Sequence, residues 1–436
     1  MQLIDWKTAS AEQRRAALSR PAAESRADVQ RDVAEIVAAV RAEGDAALRR
    51  YMQKFSGTTL DDLRVGPAEF AEARASLTGA QIAALERAVA NVTQFHEAQQ
   101  AQPLSVETMP GVVCERIVRP IRSVGLYVPA GSAPLPSTAI MLAAPARVAG
   151  CPLRAIACSP NADGKVHASV LLAAELCGVE TVYKMGGAQA VAAFAFGTES
   201  VRKVDKIFGP GSAWVTMAKQ LVAADPAGAA IDLPAGPSEV LVIADESANP
   251  KFVAADLLAQ AEHDTIAQVI LVTTSAALAR AVIVEAAAQA HKLTREHIVD
   301  ESMRHSRVIV VPDIDTAMAV SNEYAPEHLI IQTRDARALL PRVESAGSVF
   351  VGEWSPESMG DYCSGTNHVL PTYGYARSYS GVSLADFQKR ITVQELSADG
   401  LRDLGPTAIA ISQLEGLDAH GNAVRVRLDA LAGKKS

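Results

Sequence analysis

The sequence predicts an α/β protein in which two similar βαβ units follow one another, with small helical segments at the N-terminal and C-terminal ends. Three observations carry this reading. From residue 155 to residue 351 short β-rich apolar runs alternate with helical segments, the pattern of parallel strands joined by crossover helices. The first hundred residues instead place apolar side chains at helical spacing. The chain has 436 residues, 49% of them hydrophobic and 21% charged, the balance of a folded globular protein. That length suggests about two or three domains with a large buried interior.

In chain order, Val29, Val33, Ile36, Val37 and Val40 recur on one helical face within 26–55, and 67–77 and 80–100 repeat the pattern. Strand-like runs begin at 112–114 and 124–128, and the second leads into the turn-rich Pro-Ala-Gly-Ser at 129–132. The first block follows with a strand at 155–158, a helix near 166–177, a strand at 181–185, Gly186-Gly187 and another helix. The run 229–233 and the Pro-Ala-Gly-Pro cluster at 234–237 close it. The second block has strands at 240–244, 269–273, 308–311, 329–332 and 348–351. Beyond Gly352 regular patterning fails for about thirty residues, a length typical of functional loops rather than linkers. A small helical tail carries Glu415-Gly416-Leu417-Asp418-Ala419-His420.

A net charge of -8 without a local Lys/Arg cluster repels phosphate backbones, which points away from nucleic acid and toward a small ligand. Cys114, Cys151, Cys158, Cys177 and Cys363 are odd in number and include no C-x-x-C pair, which fits reduced thiols in a cytoplasm. The start Met1-Gln2-Leu3-Ile4-Asp5-Trp6 lacks a signal-peptide pattern, and no apolar run reaches the roughly 18 residues of a membrane span.

The segment 255–264 reads as a helix whose last turn sets Gln260 and His263 three apart on one face. An amide oxygen and an imidazole there can hold two corners of a zinc-like ion, although a polar, capped helix end explains the same residues. Asp361 and His420 would complete a set of two nitrogens and two oxygens, but His96, His167, His291, His297 and His305 could be chosen on spacing alone. Glu327-His328, just before the apolar run Leu329-Ile330-Ile331, puts a carboxylate and a proton-shuttling imidazole at the start of a strand. An exposed polar pair is the bland reading. The dinucleotide fingerprint G-x-G-x-x-G is absent, since Gly209-Pro210-Gly211-Ser212-Ala213-Trp214 ends in tryptophan. Gly186-Gly187-Ala188-Gln189 could admit a phosphate at a helix N-terminus or be only a tight turn.

Together these motifs resemble the histidinol dehydrogenase family. The resemblance runs from about 118 to 424, through Gly-Pro-Ser-Glu-Val at 236–240, Gln-Ala-Glu-His-Asp at 260–264 and Tyr-Ala-Pro-Glu-His-Leu at 324–329. It continues through the loop 360–377 and the segment 415–420. It implies two incomplete Rossmann-like domains in tandem. Residues 109–235 would bind NAD without the usual fingerprint, and 23–108 with 236–380 would carry the metal and acid/base residues. Segment 1–22 would precede them, and a helical tail, 381–436, would be exchanged within a homodimer.

The resemblance further implies one Zn2+ per subunit on Gln260, His263, Asp361 and His420, with Glu327 and His328 as the acid/base pair. Substrate would be held by Ser238, Gln260, His263, His328, Asp361, His368, Glu415 and His420. Tyr127, Gln189 and Ser212 would contact NAD, Ser212 standing where the family commonly has Asn. The implied activity is oxidation of L-histidinol to L-histidine by two hydride transfers, in histidine biosynthesis. The competing readings are a paralogue acting on another polar alcohol with NAD, and a metal-dependent hydrolase, which the missing fingerprint favours.

Overall fold

A computed structural model describes residues 1–21, 26–130, 133–234 and 236–433, and for 26 and 27 the backbone alone. Residues 131 and 132 of the expected turn, 22–25 at the first expected boundary and 235 of the Pro-Gly cluster lie outside the described residues. In chain order the strands are β1 (Gln2–Asp5), β2 (Leu104–Met109), β3 (Val112–Pro120), β4 (Ser123–Val128), β5 (Leu153–Cys158), β6 (Thr181–Lys184) and β7 (Lys206–Phe208). They continue with β8 (Ala230–Ile231), β9 (Glu239–Ala244), β10 (Gln268–Thr273), β11 (Arg307–Val310), β12 (His328–Gln332), β13 (Ser348–Val351) and β14 (Gln388–Leu396). The chain forms two compact units, 1–99 with 121–387, and 100–120 with 388–436.

The larger unit holds two parallel sheets, ordered β6-β5-β4-β7-β8 and β1-β11-β10-β9-β12-β13. Every residue of β4, β9 and β10 is buried, because crossover helices cover both faces of a parallel sheet and leave no alternation to read. In each sheet the chain winds outward in one direction and then returns to wind the other way. The first sheet therefore switches between β4 and β7, and the second between β9 and β12.

The helices Arg26–Glu43 and Asp45–Ser56 bury Val33, Val40, Leu48 and Met52 in one cluster with Tyr127, Phe194 and Val215. The helix Gly79–Glu97 buries Val89 and Val92 against Ile140 and Leu171. Residues 26–97, which the resemblance groups with 236–380, thus pack on the five-stranded sheet. Their apolar faces are long enough to cover its crossover helices. The opening segment, expected to be only helical, also supplies β1, which pairs in parallel with β11.

His96 ends this helical layer fully buried, with Nδ1 2.7 Å from the Val92 carbonyl and Nε2 3.5 Å from the Asn367 amide nitrogen. Burial holds its pKa below the ordinary 6.5. A lowered histidine pKa means that the unfolded chain binds the extra proton, so the contribution is whole above about 6.5 and is lost as pH falls through the folded value. We expect the melting temperature of His96→Gln to fall less between pH 7.5 and 5.5 than that of the parent, measured in parallel scans. Equal falls would remove His96 from the acid response.

In the smaller unit β14, β3 and β2 form an antiparallel sheet, with Gln388 opposite Pro120 and Leu396 opposite Val112. The helices Ala398–Leu414 and Asp418–Leu431 pack together where Gly405 lets Val424 and Leu428 approach closely. The tail is therefore not purely helical, and residues 109–120, grouped by the resemblance with the NAD-binding domain, belong to this sheet. No described helix is long and apolar enough to cross a membrane.

Candidate active site

The second sheet gathers reactive side chains at the amino ends of β9 and β12. The helix Ile314–Tyr324 ends on Ala325, whose φ of 54° is left-handed without the usual glycine. That turn reverses the chain and delivers Glu327-His328 to the start of β12. The Glu239 backbone then fixes both residues. Its N–H donates to Glu327 Oε2 at 2.8 Å, and its carbonyl lies 3.1 Å from His328 Nδ1. A carbonyl only accepts, so Nδ1 keeps its proton and Nε2 is the nitrogen at which a proton is exchanged. Among the described residues no hydrogen bond reaches Nε2; Asp361 Oδ1 faces it at 3.5 Å, an ion-pair distance.

Both members of this pair are buried and their protonation is tuned. Burial pushes the Glu327 carboxyl up to about 8, close to the working pH of a general base. Burial also opposes charge on His328, but the carboxylates of Glu327, Glu357 and Asp361 outweigh it and hold the imidazole well above its ordinary value. Glu239 itself is anchored by Arg20, with Nε to Oε1 at 2.5 Å and Nη2 to Oε2 at 2.9 Å. Arg20 also lies over the Tyr324 ring, 4.1 Å from its centroid. Removing one partner of a buried pair strands the other charge. We expect Arg20→Ala to lose about 3–5 kcal/mol in denaturant unfolding. A loss under about 1 kcal/mol, the range of surface pairs, would show that Glu239 needs no counter-ion.

The helix Pro250–Ala261 starts on an Asn249 cap with Pro250 in its first turn, and carries Gln260 in its last turn. Gln260 is 1% exposed, and neither its amide oxygen nor its amide nitrogen has a partner. His263 was expected in the same last turn. It instead lies just beyond the helix end, in the turn closed by its own N–H on the Gln260 carbonyl, and is exposed. The loop after Gly352 contains the short helix Glu357–Tyr362, which packs against Pro250–Ala261. It supplies Asp361 and a buried carboxylate that sequence reasoning missed, Glu357. One ligand atom each from His263, Glu357 and Asp361 lies within 4.8 Å of the others. Nitrogen and oxygen donors with orphaned buried atoms beside them fit a borderline divalent ion such as zinc.

His368 places both ring nitrogens, Nδ1 2.9 Å from the Asp361 carbonyl and Nε2 3.2 Å from Thr138 Oγ1, and so steadies the Asp361 backbone. Ser238, part-buried beside β9, accepts the Gln268 N–H on its carbonyl. Glu415 and His420 belong to the smaller unit. They stand on either side of Gly416 at the corner between its two helices, both exposed.

Tyr127 lies at the carboxyl end of β4, and Gln189 and Ser212 follow β6 and β7, around the switch point of the five-stranded sheet. Open α/β sheets bind ligands at such crevices. Tyr127 Oη accepts the Gly187 N–H at 3.0 Å where the helix Gly187–Phe196 begins, and Ser212 precedes Ala213–Ala224 without using its side chain as a cap. Gly209 has φ 123°, and a Cβ there would run into the Tyr127 carbonyl. Buried Lys219 donates to the Gly209 carbonyl at 2.8 Å and pairs with Asp232, which accepts the Gly209 N–H. This bare, braced turn fits a dinucleotide without the G-x-G-x-x-G spacing. Elsewhere, a cavity of about 680 Å³ lined by Gln332, Arg334 and Trp354 opens at the carboxyl ends of β12 and β13, away from the acid/base pair.

Known proteins resemble this chain over nearly its whole length. The family model described as histidinol dehydrogenase matches residues 18–428. Histidinol dehydrogenase of Vibrio vulnificus is 52% identical over 434 residues, the whole of both chains. That of Salmonella typhimurium is 53% identical over 98% of each. The crystal structure of histidinol dehydrogenase from Elizabethkingia anophelis superposes with a TM-score of 0.95 at 44% identity, covering 99% of each chain.

Proposed function

Because this chain belongs to the histidinol dehydrogenase family, we propose that it oxidises L-histidinol through a bound aldehyde to L-histidine. The observation that carries the chemistry is the Glu239 backbone holding Glu327 and His328 together, which leaves Nε2 of His328 as the nitrogen that exchanges a proton. NAD, when bound, accepts one hydride in each of two steps. Zinc, when bound, orients the imidazole and amine of the substrate.

His328 Nε2 takes the hydroxyl proton in the first oxidation and leaves an aldehyde. Glu327 then removes a proton from water as its oxygen adds to the aldehyde carbon, and His328 returns its first proton to the former carbonyl oxygen, giving a diol and a neutral imidazole. His328 takes the second hydroxyl proton, from the resulting diol, to give the acid. Gln260, His263, Asp361 and His420 are the proposed metal ligands, and together with His328 they frame the substrate. Ser238, His368 and Glu415 add contacts to its polar groups, while Tyr127, Gln189 and Ser212 hold NAD. We further propose a cytoplasmic homodimer in which each tail completes the partner subunit's site.

Formation of NADH on adding L-histidinol and NAD to the zinc-loaded protein, with two NADH for each L-histidine, tests the reading. No NADH, or NADH from other polar alcohols alone, would overturn it.

A further inference from the structure

Resting on the zinc reading above, we propose that Glu357 is a metal ligand as well, so that the larger unit holds the ion with side chains of its own. Glu357 is 1% exposed, and neither oxygen of its carboxylate has a hydrogen-bond partner. Such an orphan is among the most costly a protein interior can keep, and it persists where a cation or a reaction uses it. Among the described residues its strongest charge partners are the His328 imidazole and the carboxylates of Asp361, Glu327 and Asp256, and a His263 ring nitrogen also lies close by. His328 is already shared with Glu327 and Asp361, and among the described residues no arginine or lysine hydrogen-bonds to Glu357.

The backbone explains why this carboxylate points where it does. Glu357 and Asp361 are four apart in one short helix, so both project from the same face. One oxygen of each lies within 4.8 Å of the other and of a His263 ring nitrogen. Donors about 2.1 Å from a zinc-like ion stand at most about 4.2 Å apart, so the cluster closes on an ion by moving tenths of an ångström. Gln260, with its orphaned amide, sits on the helix packed against this one. Gln260, His263, Glu357 and Asp361 thus make four donors within residues 260–361. His420 then completes a site that already binds metal, and zinc loading does not wait for the tail.

The test uses full-length protein and reads metal directly. Zinc affinity by chelator competition, the visible spectrum of the cobalt-substituted protein and the zinc-induced rise in melting temperature are compared for the parent, E357Q, H420N, E357Q/H420N and H263N. H420N and E357Q should each bind zinc more weakly by about ten- to a hundredfold. E357Q should also change the cobalt spectrum and gain less melting temperature from zinc, and the double variant should retain no zinc. Parent-like zinc affinity and cobalt spectrum in E357Q would overturn the assignment. Parent-like zinc affinity in H263N would instead overturn the underlying zinc site. If E357Q folds poorly, E357D and E357A carry the same test: a ligating carboxylate makes E357D bind zinc better than E357A, and equal binding refutes it.

Discussion

Replacing His328 with Asn should lower turnover of both L-histidinol and the derived aldehyde by about a hundred- to ten-thousandfold, the usual worth of a positioned acid/base group. Both oxidations lose a proton to this ring, so both suffer. Glu327→Gln should behave differently. Glutamine keeps an oxygen that can accept the Glu239 N–H, now at 2.8 Å from Glu327, but it cannot take a proton from water. Aldehyde oxidation, which needs the water, should fall much further than alcohol oxidation. Single-turnover rates starting from each substrate separate the two variants. Equal losses on both substrates in both variants would show the roles are misassigned.

A second large effect concerns the smaller unit. Glu415 and His420 are exposed in the single chain, next to Ile411, Leu414, Leu417 and Val426, and Leu414 is 88% exposed. Side chains of this kind left uncovered together mark an interaction surface. If tails are exchanged between subunits, His263→Asn and His420→Asn should be inactive alone but complement each other. A mixed dimer pairs an intact core with an intact tail at one site and puts both lesions in the other. Random pairing then restores about a quarter of all sites, since roughly half the dimers are mixed and half their sites are whole. Activity at the level of the separate mutants, with mixed dimers verified by mass, would show that each tail serves its own subunit.

What could be read in advance follows from where side chains point. β9, β10 and β12 were legible because strands buried on both faces are short apolar runs, and periodicity plays no part in finding them; β13 at the sheet edge is only part-buried but is still an apolar run. β14 was not legible: Gln-Lys-Arg-Ile-Thr-Val-Gln-Glu-Leu is nearly all exposed, so burial left no mark on its composition. β7 is three residues long, too short for a pattern, and β1, Gln-Leu-Ile-Asp, is mostly exposed and carries only two apolar residues. The proposed acid/base pair stood out because Glu-His abuts an apolar strand, and the proposed NAD contacts only through the family resemblance. Glu239 and Glu357 were missed for different reasons. Glu239 opens β9 as the one charge before an apolar run, a signal that was there to find. Glu357 sits in an aperiodic loop, where its four-residue spacing from Asp361 means something only once a helix is known to form.

The pairing of β1 with β11 has a consequence for synthesis. Gln2 lies beside Arg307 in the finished sheet, so about 300 residues separate partners that must hydrogen-bond. A ribosome adding about 5–20 residues per second needs roughly 15–60 s to deliver the second after the first. The strands of the five-stranded sheet lie between 123 and 231, and its outer helices come earlier still, so all of them are made while β1 waits. The nascent chain therefore carries an unpaired strand past a sheet whose own strands are already complete, and its safe passage depends on how long Leu3 and Ile4 stay out of other partners' reach.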